Sequence, residues 1–338
     1  MRTTAELEER LARPGAGLVE DLGGLDGDIL ILGAGGKLGP SLVRLALNAG
    51  RAAGSGRRVI AVSRFSEPGL ADALAAEGVT VVPADVADER ALRDLPDAEN
   101  VVFLVGAKFG TQGREHTTWF TNTYLPGRVA DRFRGSRIAA LSTGNVYPLV
   151  PVTGGGSTED SPEGPVGEYA MSCLGRERVL THFSETHGTP MSLIRLNYAV
   201  ELRYGVLVDL AQRILAGEPV DLATGQVNVV WQGYANEVVL RSLSLASAPP
   251  YVLNVTGPET ISVRQAALAL GAALGREPVF TGEEAPTALL SNAGRCHRLF
   301  GYPELTPAEL IEHTARWVAD GGPLLGKPTK FERRDGRF

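Results

Sequence analysis

A chain of 338 residues with 43% apolar and 21% charged residues has the composition of a well-cored globular protein, long enough for one large α/β domain with an appended lobe or for two ordinary domains. The formal net charge of −6 argues against a nucleic-acid binder, and the lack of a ~18-residue apolar run or of a secretory signal predicts a cytoplasmic protein without membrane contact. Two cysteines and five histidines supply neither a disulfide framework nor the ligand spacing of a metal site.

Residues 1–26 predict an N-terminal helical arm, because AELEERLA has helix-forming side chains and is followed by Pro14 and Gly15, which end a helix. From 27 to 197 short apolar runs alternate with stretches of helical spacing. The runs are DILILG, RRVIAVSR, VTVVPADV, NVVFLVGA, RIAALSTG and MSLIRLN. This alternation is typical of an α/β protein with a doubly wound parallel sheet, a Rossmann fold, which binds ligands at the carboxyl ends of its strands.

Beyond Asn197 the alternation stops, and residues 198–330 predict a smaller C-terminal substrate-binding lobe laid over the active edge of the sheet. QVNVVW has a strand-like composition, and the run YVLNVTG at 251–257 is expected to return to the sheet as a further strand. The basic end of the chain, which includes residues 331–338, predicts a solvated, partly disordered tail.

A glycine loop, LGAGGKLG, follows the first strand and places Gly33, Gly36 and Gly39 at regular spacing. The first glycine permits a tight turn, the second lets backbone N–H groups approach a pyrophosphate, and the third allows the next helix to pack closely on the strand. Leu38 lies where that helix begins, and a helix N-terminus favours an anion. The strand–loop–helix context favours dinucleotide binding over an ordinary turn.

The end of the second strand indicates which nicotinamide cofactor binds. An acidic residue there would bind the adenosine ribose 2′-OH of NAD, whereas this strand ends in Ser63 and Arg64, and Lys37 adds positive charge from the glycine loop. These residues favour NADP over NAD, with Arg64 stacking on adenine or facing solvent as the alternative. Asp85 and Val86, at the end of the third strand, are expected to hold the adenine.

Further motifs resemble those of a known family. They are Asn122 in TNTYLPG, STGNVYP, GEYAMSCLGRE and LNVTGPETISVRQ. With the glycine loop they are similar to the motifs of the extended short-chain dehydrogenase/reductases, the NAD-dependent epimerase/dehydratase family, over about 28–318. The resemblance implies an NAD(P)-binding enzyme and a possible homodimer paired through its two long helices. Val105 and Gly106, at the end of the fourth strand, are further candidate cofactor contacts.

The resemblance also implies roles for the residues that match the family's reaction centre. Tyr169 would be the acid/base that moves a proton on or off the substrate oxygen during hydride transfer, and Thr143 would hydrogen-bond the same oxygen. The family has a lysine four residues after the tyrosine, which stabilises tyrosinate and binds the nicotinamide ribose. Here that position is Cys173, which supplies no cation.

Several interpretations of this departure stay open. In the first, another cation replaces the lysine, either Lys108 just beyond the fourth strand or Arg176 one turn from Cys173. In the second, Tyr169 stays protonated and works as a hydrogen-bond donor or acid. In the third, the protein binds its cofactor without fast chemistry, as a sensor or scaffold. Cys173 as a nucleophile is less favoured than a small, partly buried thiol.

The substrate is less well indicated than the cofactor. Nucleotide-sugar members of the family clamp a diphosphate with arginines at two places where this chain has Gln226 and the carboxylates Glu283 and Glu284. Either Arg203 or Arg195 replaces those arginines, or the substrate has no nucleotide. We favour an oxidoreductase or epimerase acting on a small molecule: a sugar, sugar acid or related polyhydroxy carbonyl compound. A nucleotide-sugar epimerase or dehydratase is the alternative. Predicted pocket residues, for which ordinary packing of the aromatics is the alternative, are Phe109, Asn145, Asn197, Tyr198, Tyr204 and Trp231.

Overall fold

The computed structural model describes residues 1–109, 113–327 and 329–337. The strands are β1 Ile29–Leu32, β2 Val59–Ser63, β3 Thr80–Pro83, β4 Asn100–Phe103, β5 Arg137–Thr143, β6 Val150–Pro151, β7 Met191–Leu196, β8 Ala199–Val200, β9 Val220–Asp221, β10 Gln226–Val227, β11 Val230–Trp231, β12 Tyr251–Val255, β13 Ile261–Ser262, β14 Phe280–Thr281 and β15 Thr287–Ala288. The helices are α1 Thr4–Leu11, α2 Ala16–Gly23, α3 Gly39–Ala52, α4 Leu70–Ala76, α5 Glu89–Arg93, α6 Glu115–Trp119, α7 Leu125–Arg132, α8 Gly167–His187, α9 Val206–Ala216, α10 Gln232–Arg241, α11 Val263–Leu274, α12 Gly294–Phe300 and α13 Pro307–Ala319. A π-helical turn, Phe120–Tyr124, joins α6 to α7.

A seven-stranded sheet forms the centre of the molecule, in the order β3-β2-β1-β4-β5-β7-β12. Every neighbouring pair in it is parallel, which requires a crossover connection between successive strands. Helices supply those crossovers and cover both faces. The prediction of a doubly wound parallel sheet is therefore confirmed, and the segment at 251–257 supplies its outer strand, β12, beside β7.

The central strand shows why the apolar runs in the sequence are continuous rather than alternating. Ile29 and Ile31 face one hydrophobic core, and Leu30 and Leu32 face the other. All four side chains are fully buried, as expected for a strand with helices on both sides. One core lies against α3, α9, α10 and α11, and the other against α5, α7 and α8.

The N-terminal arm contains a helix that the sequence did not predict. Helix α1 begins with a capping box between Thr3 and Glu6, but Pro14 and Gly15 only separate it from α2. Helix α2 buries Leu18 and Leu22 completely and packs on α3 and α10. Its glycine-rich sequence has weak helix propensity, so this tertiary packing is what stabilises it.

The C-terminal lobe is built from α9, α11 and α13, which pack on one another, and from two-residue strand pairs. The strand-like QVNVVW divides into β10, which pairs with β13, and β11, which pairs with β8. In the described part of the chain, no helix is long and apolar enough to cross a membrane.

The tail corrects an expectation from composition. Residues 329–337 pack against the lobe, and Phe331 is only 4% exposed. Thr329 donates to the Asp209 carboxylate from its backbone N at 2.8 Å and from Oγ1 at 2.6 Å. Arg334 donates to the Thr287 carbonyl at 2.6 Å and to the Thr287 hydroxyl at 2.7 Å. The tail was predicted to be solvated because of its charge, but the buried ring of Phe331 and these hydrogen bonds hold it against the lobe. Phe338 lies outside the described residues.

Candidate active site

The glycine loop connects the end of β1 to the start of α3. Gly33 has a φ of +91°, which side chains other than hydrogen rarely allow. A Cβ on Gly39 would lie 2.2 Å from the Ala34 carbonyl oxygen, so this position also excludes any larger residue. Leu38 stands at the N-cap of α3, and its side chain has no oxygen that could cap the helix. The Gly39 N–H already donates to the Gly36 carbonyl at 3.2 Å and Pro40 has no N–H, so what the start of α3 offers an anion is the positive end of the helix dipole.

Two neighbouring cavities lie along this edge of the sheet. The outer cavity, of about 360 Å³, runs along the glycine loop. The inner cavity, of about 180 Å³, lies beyond it. Both are lined by Lys37, Leu38, Lys108, Leu141, Ser142, Tyr169 and Tyr204. The outer cavity additionally contacts Gly33, Gly36, Gly39, Gly106 and Phe109, and the inner one Thr143, Asn145, Asn197, Tyr198 and Thr329.

Tyr169 and Thr143 meet at the wall shared by these cavities. Thr143 ends β5, Tyr169 lies in the first turn of α8, and their hydroxyl groups are hydrogen-bonded to each other. The Thr143 hydroxyl also accepts from the backbone N–H of Asn145 at 3.2 Å. Burial raises the pKa of Tyr169 well above its ordinary value, Cys173 raises it further, and the bond with Thr143 opposes the shift. The phenol is therefore protonated at neutral pH.

Cys173 lies one turn further along α8 and is 1% exposed. It packs with Val146 and Tyr147, and burial raises the pKa of its thiol. A thiol that stays protonated is a poor nucleophile. The geometry therefore favours a small buried thiol at this position over a nucleophile.

Lys108 follows β4 and brings a cation to the same wall. Its Nζ lies 5.4 Å from the centroid of the Tyr169 ring and 5.3 Å from that of Phe109. Burial lowers the pKa of Lys108 to about 8, while the nearby Cys173 thiol raises it. An ammonium at this distance can stabilise negative charge on the phenol oxygen, as a lysine at position 173 would.

Asn122 holds the segment that carries Lys108. Its Oδ1 accepts from the Ala107 N–H at 2.8 Å, and its Nδ2 donates to the Ala107 carbonyl at 2.8 Å and to the Ser172 hydroxyl at 3.0 Å. Asn122 is completely buried within the π-helical turn, a feature frequent at functional sites. This residue acts on the site by positioning its neighbours.

Arg176, the other candidate cation, forms hydrogen bonds with backbone carbonyl groups. Its guanidinium donates to the carbonyls of Val105 at 3.1 Å, Leu141 at 2.5 Å and Asn122 at 3.1 Å. It is 4% exposed and joins the ends of β4 and β5. Its charge opposes the burial effect on the pKa of Tyr169, but four of its five N–H donors bind within the protein, so it is a positioning residue.

The residues expected at the adenosine end lie beyond β2 and β3. The Oγ of Ser63 lies close beside Gly35 of the loop. Arg64 is 75% exposed, with its guanidinium 3.9 Å from the Asp85 carboxylate. Val86 is buried, and Asp85 accepts from the backbone N–H of Ala87 at 3.0 Å.

The Lys37 side chain does not lie near Arg64. The prediction that Lys37 adds positive charge beside the 2′-phosphate is therefore corrected. Its Nζ donates to the Ala199 carbonyl at 3.2 Å and lies 3.2 Å from the centroid of the Tyr204 ring. Ala199 follows β7, which lies on the opposite side of β1 from β2. The glycine loop aims this side chain at the inner cavity, so the positive charge at the adenosine end comes from Arg64.

Of the predicted pocket residues, Asn145, Asn197, Tyr198 and Tyr204 line the inner cavity. Phe109 lines the outer cavity instead. Trp231 is fully buried in the core on β11, so the prediction that it contacts substrate is wrong and its alternative, packing, holds.

The arginines suggested as diphosphate clamps are engaged elsewhere. Arg195 is buried in ion pairs with Glu177 at 2.7 Å and Glu163 at 3.1 Å. Arg203 pairs with Glu201 at 3.2 Å and Glu8 at 3.3 Å. Both guanidiniums are thus neutralised within the protein, which corrects their proposed role.

Sequence reasoning missed the contribution of the tail. Thr329 lines the inner cavity, and Phe331, Arg333 and Arg334 line a small adjoining cavity of about 30 Å³ beside Tyr198. The available signal was Phe331, an aromatic residue with charged residues on both sides. Such a residue indicates a point at which a tail docks.

Comparison with known proteins identifies relatives of this fold. The model of the NAD dependent epimerase/dehydratase family matches residues 29–232. Similar solved structures include DesIV, a dTDP-glucose 4,6-dehydratase from Streptomyces venezuelae with NAD and TYD bound (19% identity, TM-score 0.72, 86% of this chain and 96% of that chain). A UDP-glucuronic acid 4-epimerase from Bacillus cereus in complex with NAD (16%, 0.71, 86% and 96%) and Pal from Bacillus thuringiensis (14%, 0.71, 86% and 98%) are also similar. No protein of curated function matches the sequence.

Proposed function

Because the chain belongs to the NAD-dependent epimerase/dehydratase family, we propose that it is an NAD(P)-dependent oxidoreductase or epimerase. Its substrate is a small polyhydroxy compound: a sugar, a sugar acid or a related carbonyl compound. The observation that carries this proposal is the hydrogen-bonded pair of Thr143 and Tyr169, which lines the inner cavity. Tyr169 also lines the outer cavity along the glycine loop. Lys108 lies 5.4 Å from the centroid of the Tyr169 ring and supplies the cation that Cys173 cannot.

The residues that would hold the cofactor fit a dinucleotide. Gly33, Gly36 and Gly39 line the outer cavity, where a pyrophosphate would lie at the start of α3. At the adenosine end, Ser63 and Arg64 would meet the ribose and Asp85 and Val86 the adenine. Val105 and Gly106 would flank the middle of the groove. We propose NADP(H) because Arg64, the residue that follows β2, is exposed and no acidic residue ends β2. NAD(H), named with several neighbours of this fold, is the alternative.

The bound nicotinamide would supply the hydride donor or acceptor. The protonated Tyr169 would donate its phenol proton to a substrate carbonyl oxygen, or the phenolate would take a proton from a hydroxyl in the reverse direction. Thr143 would hydrogen-bond the same oxygen and hold it against the phenol. Lys108 would stabilise the phenolate left after proton donation, and Asn122 would keep Lys108 in place through Ala107.

The size of the inner cavity supports a small substrate. Its volume of about 180 Å³ is below the ~300–1,000 Å³ of sites for larger ligands. The adjoining space is reduced to about 30 Å³ by Phe331 and the tail arginines. A nucleotide-sugar substrate is the second candidate, because solved neighbours include complexes with UDP-glucuronic acid and UDP-glucose. Binding of a nucleotide sugar would require the C-terminal tail to move out of the small cavity beside Tyr198.

The test is turnover of NADP(H) and NAD(H) with a panel of sugars, sugar acids and their carbonyl forms, alongside calorimetric titration with UDP and dTDP. We expect turnover by the natural chain and a loss of ~100- to 10,000-fold in Tyr169→Phe, since this is the usual contribution of a proton donor. Tyr124→Phe, at an exposed tyrosine, is the matched control. Tight UDP or dTDP binding would favour the nucleotide-sugar alternative.

A cofactor-binding sensor without catalysis makes a different prediction. It would bind NADP(H) but turn over nothing in the panel, and activity would emerge only after Cys173→Lys restores the family's lysine. Activity in the natural chain that depends on Lys108 would instead support the enzyme.

A further inference from the structure

The inner cavity is lined by two lysines, Lys37 and Lys108, and, among the described residues, by no carboxylate. We propose that Lys37 binds an anionic oxygen group of the substrate, so that the substrate is an acid, a small polyhydroxy carboxylate or phosphate, and not a neutral sugar. This inference rests on the proposed function and specifies its substrate class.

The position of Lys37 is unusual for a residue of a pyrophosphate-binding loop. Its side chain crosses from the loop to the carbonyl of Ala199, 3.2 Å away, and covers the face of Tyr204. An ammonium has more N–H donors than this single bond uses, and within the described part of the chain Lys37 forms no ion pair. Its remaining donors can therefore serve a ligand in the cavity.

Glu201 attracts Lys37 but forms no ion pair with it. Glu201 is 2% exposed and forms its ion pair with Arg203, at 3.2 Å. Burial lowers the pKa of Lys37 to about 7, the attraction of Glu201 opposes that shift, and the charge on Lys108 lowers the pKa further. Holding two cations in one cavity is thus unfavourable in the free protein, and a bound anion would relieve it.

The same wall carries the reaction centre. Thr143 and Tyr169 line the inner cavity together with Lys37, so a small molecule can place a carbonyl or hydroxyl at the phenol and its acidic group at Lys37. Asn145 and Asn197 line the same cavity and offer amide groups for further hydroxyls. The arrangement selects a ligand with an anion at one end and an oxidisable carbon near the other.

The cofactor pyrophosphate is the other possible source of an anion, because Lys37 also lines the outer cavity. We commit to the substrate because Ala199 and Tyr204, the groups that Lys37 contacts, belong to the segment after β7 and not to the glycine loop. If Lys37 binds the substrate, the dissociation constant of the substrate depends on Lys37. If it binds the pyrophosphate, the dissociation constant of NADP(H) does.

The experiment compares sugar acids with the neutral sugars of matching stereochemistry, using the natural chain, Lys37→Met and Lys37→Arg. We expect Lys37→Met to lower the selectivity for acid over neutral substrate, as a ratio of kcat/KM, by about 10- to 100-fold, the worth of a hydrogen bond to a charged group. Lys37→Arg should recover most of it. Arg90→Met, which removes an exposed positive charge, is the control and should leave the ratio unchanged.

A second readout does not depend on turnover. The charged and titratable groups facing Lys37 are Lys108, Glu201, Tyr204, Asp209 and Lys327. Because the pKa of Lys37 is about 7, an anion bound to it at pH 8 should draw in a proton. Calorimetry of the cofactor-loaded protein with gluconate, in buffers of different ionisation enthalpy, should detect that uptake in the natural chain and a much smaller one in Lys37→Met.

The outcomes separate this inference from the proposed function. Turnover of neutral sugars with no preference for acids overturns the acidic substrate and leaves the oxidoreductase standing. Lys37-dependent binding of an acid without turnover supports the acidic ligand and overturns the oxidoreductase. A rise in the NADP(H) dissociation constant in Lys37→Met, with the acid selectivity intact, assigns Lys37 to the pyrophosphate and overturns the inference.

Discussion

The edge of the sheet at the glycine loop and the C-terminal tail border the same cavities, but they are held in different ways. At the sheet edge, β1, β4 and β5 are in parallel register and their ends are joined by the buried side chains of Asn122 and Arg176. The tail is held by one buried ring, Phe331, by hydrogen bonds of Thr329 and Arg334, and by an ion pair between Glu332 and Arg213 at 3.1 Å. We therefore expect the sheet edge to serve the cofactor and the reaction, and the tail, which contacts the cavities from outside the sheet, to serve the choice of substrate.

This contrast predicts that variants at the sheet edge change kcat or cofactor binding, whereas variants in the tail change KM for the substrate. Among variants that keep the Tyr169 phenol, the largest effect is expected at Lys108. Removing its charge in Lys108→Met should lower kcat by about 100-fold, because phenolate would lose its counter-charge. Steady-state kinetics with saturating cofactor measures this.

The pH dependence of Lys108 variants sharpens the same test. Burial lowers the pKa of Lys108 to about 8, so its ammonium is charged below that pH and is lost as the pH rises through it. We expect kcat of the natural chain to fall above pH 8, and Lys108→Arg, which stays charged, to move that fall to higher pH. The raised pKa of Tyr169 keeps the phenol protonated over this range. An unchanged profile in Lys108→Arg would mean that Lys108 is not the stand-in cation.

Deletion of residues 328–338 tests the tail directly. Losing Thr329 and Phe331 opens the inner cavity and the small cavity beside it to solvent. We expect kcat/KM for the small substrate to fall by about 10- to 30-fold, mainly through KM, since uniform binding is lost, while the dissociation constant of NADP(H) stays within about threefold. A deletion that instead improves binding of UDP would show that the tail occupies a nucleotide site.

Arg64→Ala examines the sheet edge at its adenosine end. The exposed guanidinium is the group proposed to meet a 2′-phosphate, and its pairing with Asp85 at 3.9 Å is weak. The ratio of NADP(H) to NAD(H) efficiency should fall by about tenfold, the effect of one charge-assisted contact. Arg90→Ala is the surface control. An unchanged ratio would assign Arg64 to solvent or to stacking on adenine.

The smallest effect is expected at Asp209, which accepts both hydrogen bonds from Thr329. Asp209→Asn keeps the shape but weakens both bonds, so KM for the substrate should rise by about threefold with kcat unchanged. Proteolysis within the tail should quicken in parallel. If KM is constant while the tail becomes cleavable, the tail does not contribute to substrate binding.

Much of the sheet was predictable because its signals are local. The apolar runs mark strands buried on both faces, and a glycine loop between a strand and a helix has few structural alternatives. The motifs also predicted Thr143 and Tyr169 as a pair, and the structure brings their hydroxyl groups into hydrogen-bonding contact. By contrast, α2 was missed because its helix propensity is weak. Trp231 was predicted in the pocket because the sequence does not distinguish an aromatic residue that packs in a core from one that lines a pocket.

From the sequence alone follow the fold class, the cofactor loop, and a cysteine four residues after Tyr169, since each depends on residue types within a few positions of one another. Only the tertiary structure decided that Lys108 faces Tyr169, that Lys37 crosses to the inner cavity, and that the tail covers that cavity. These facts join residues from distant parts of the chain, and a long side chain can point to either of two neighbours until packing selects one. The identity of the substrate belongs to this second class, because the cavity is made where the sheet, the lobe and the tail meet.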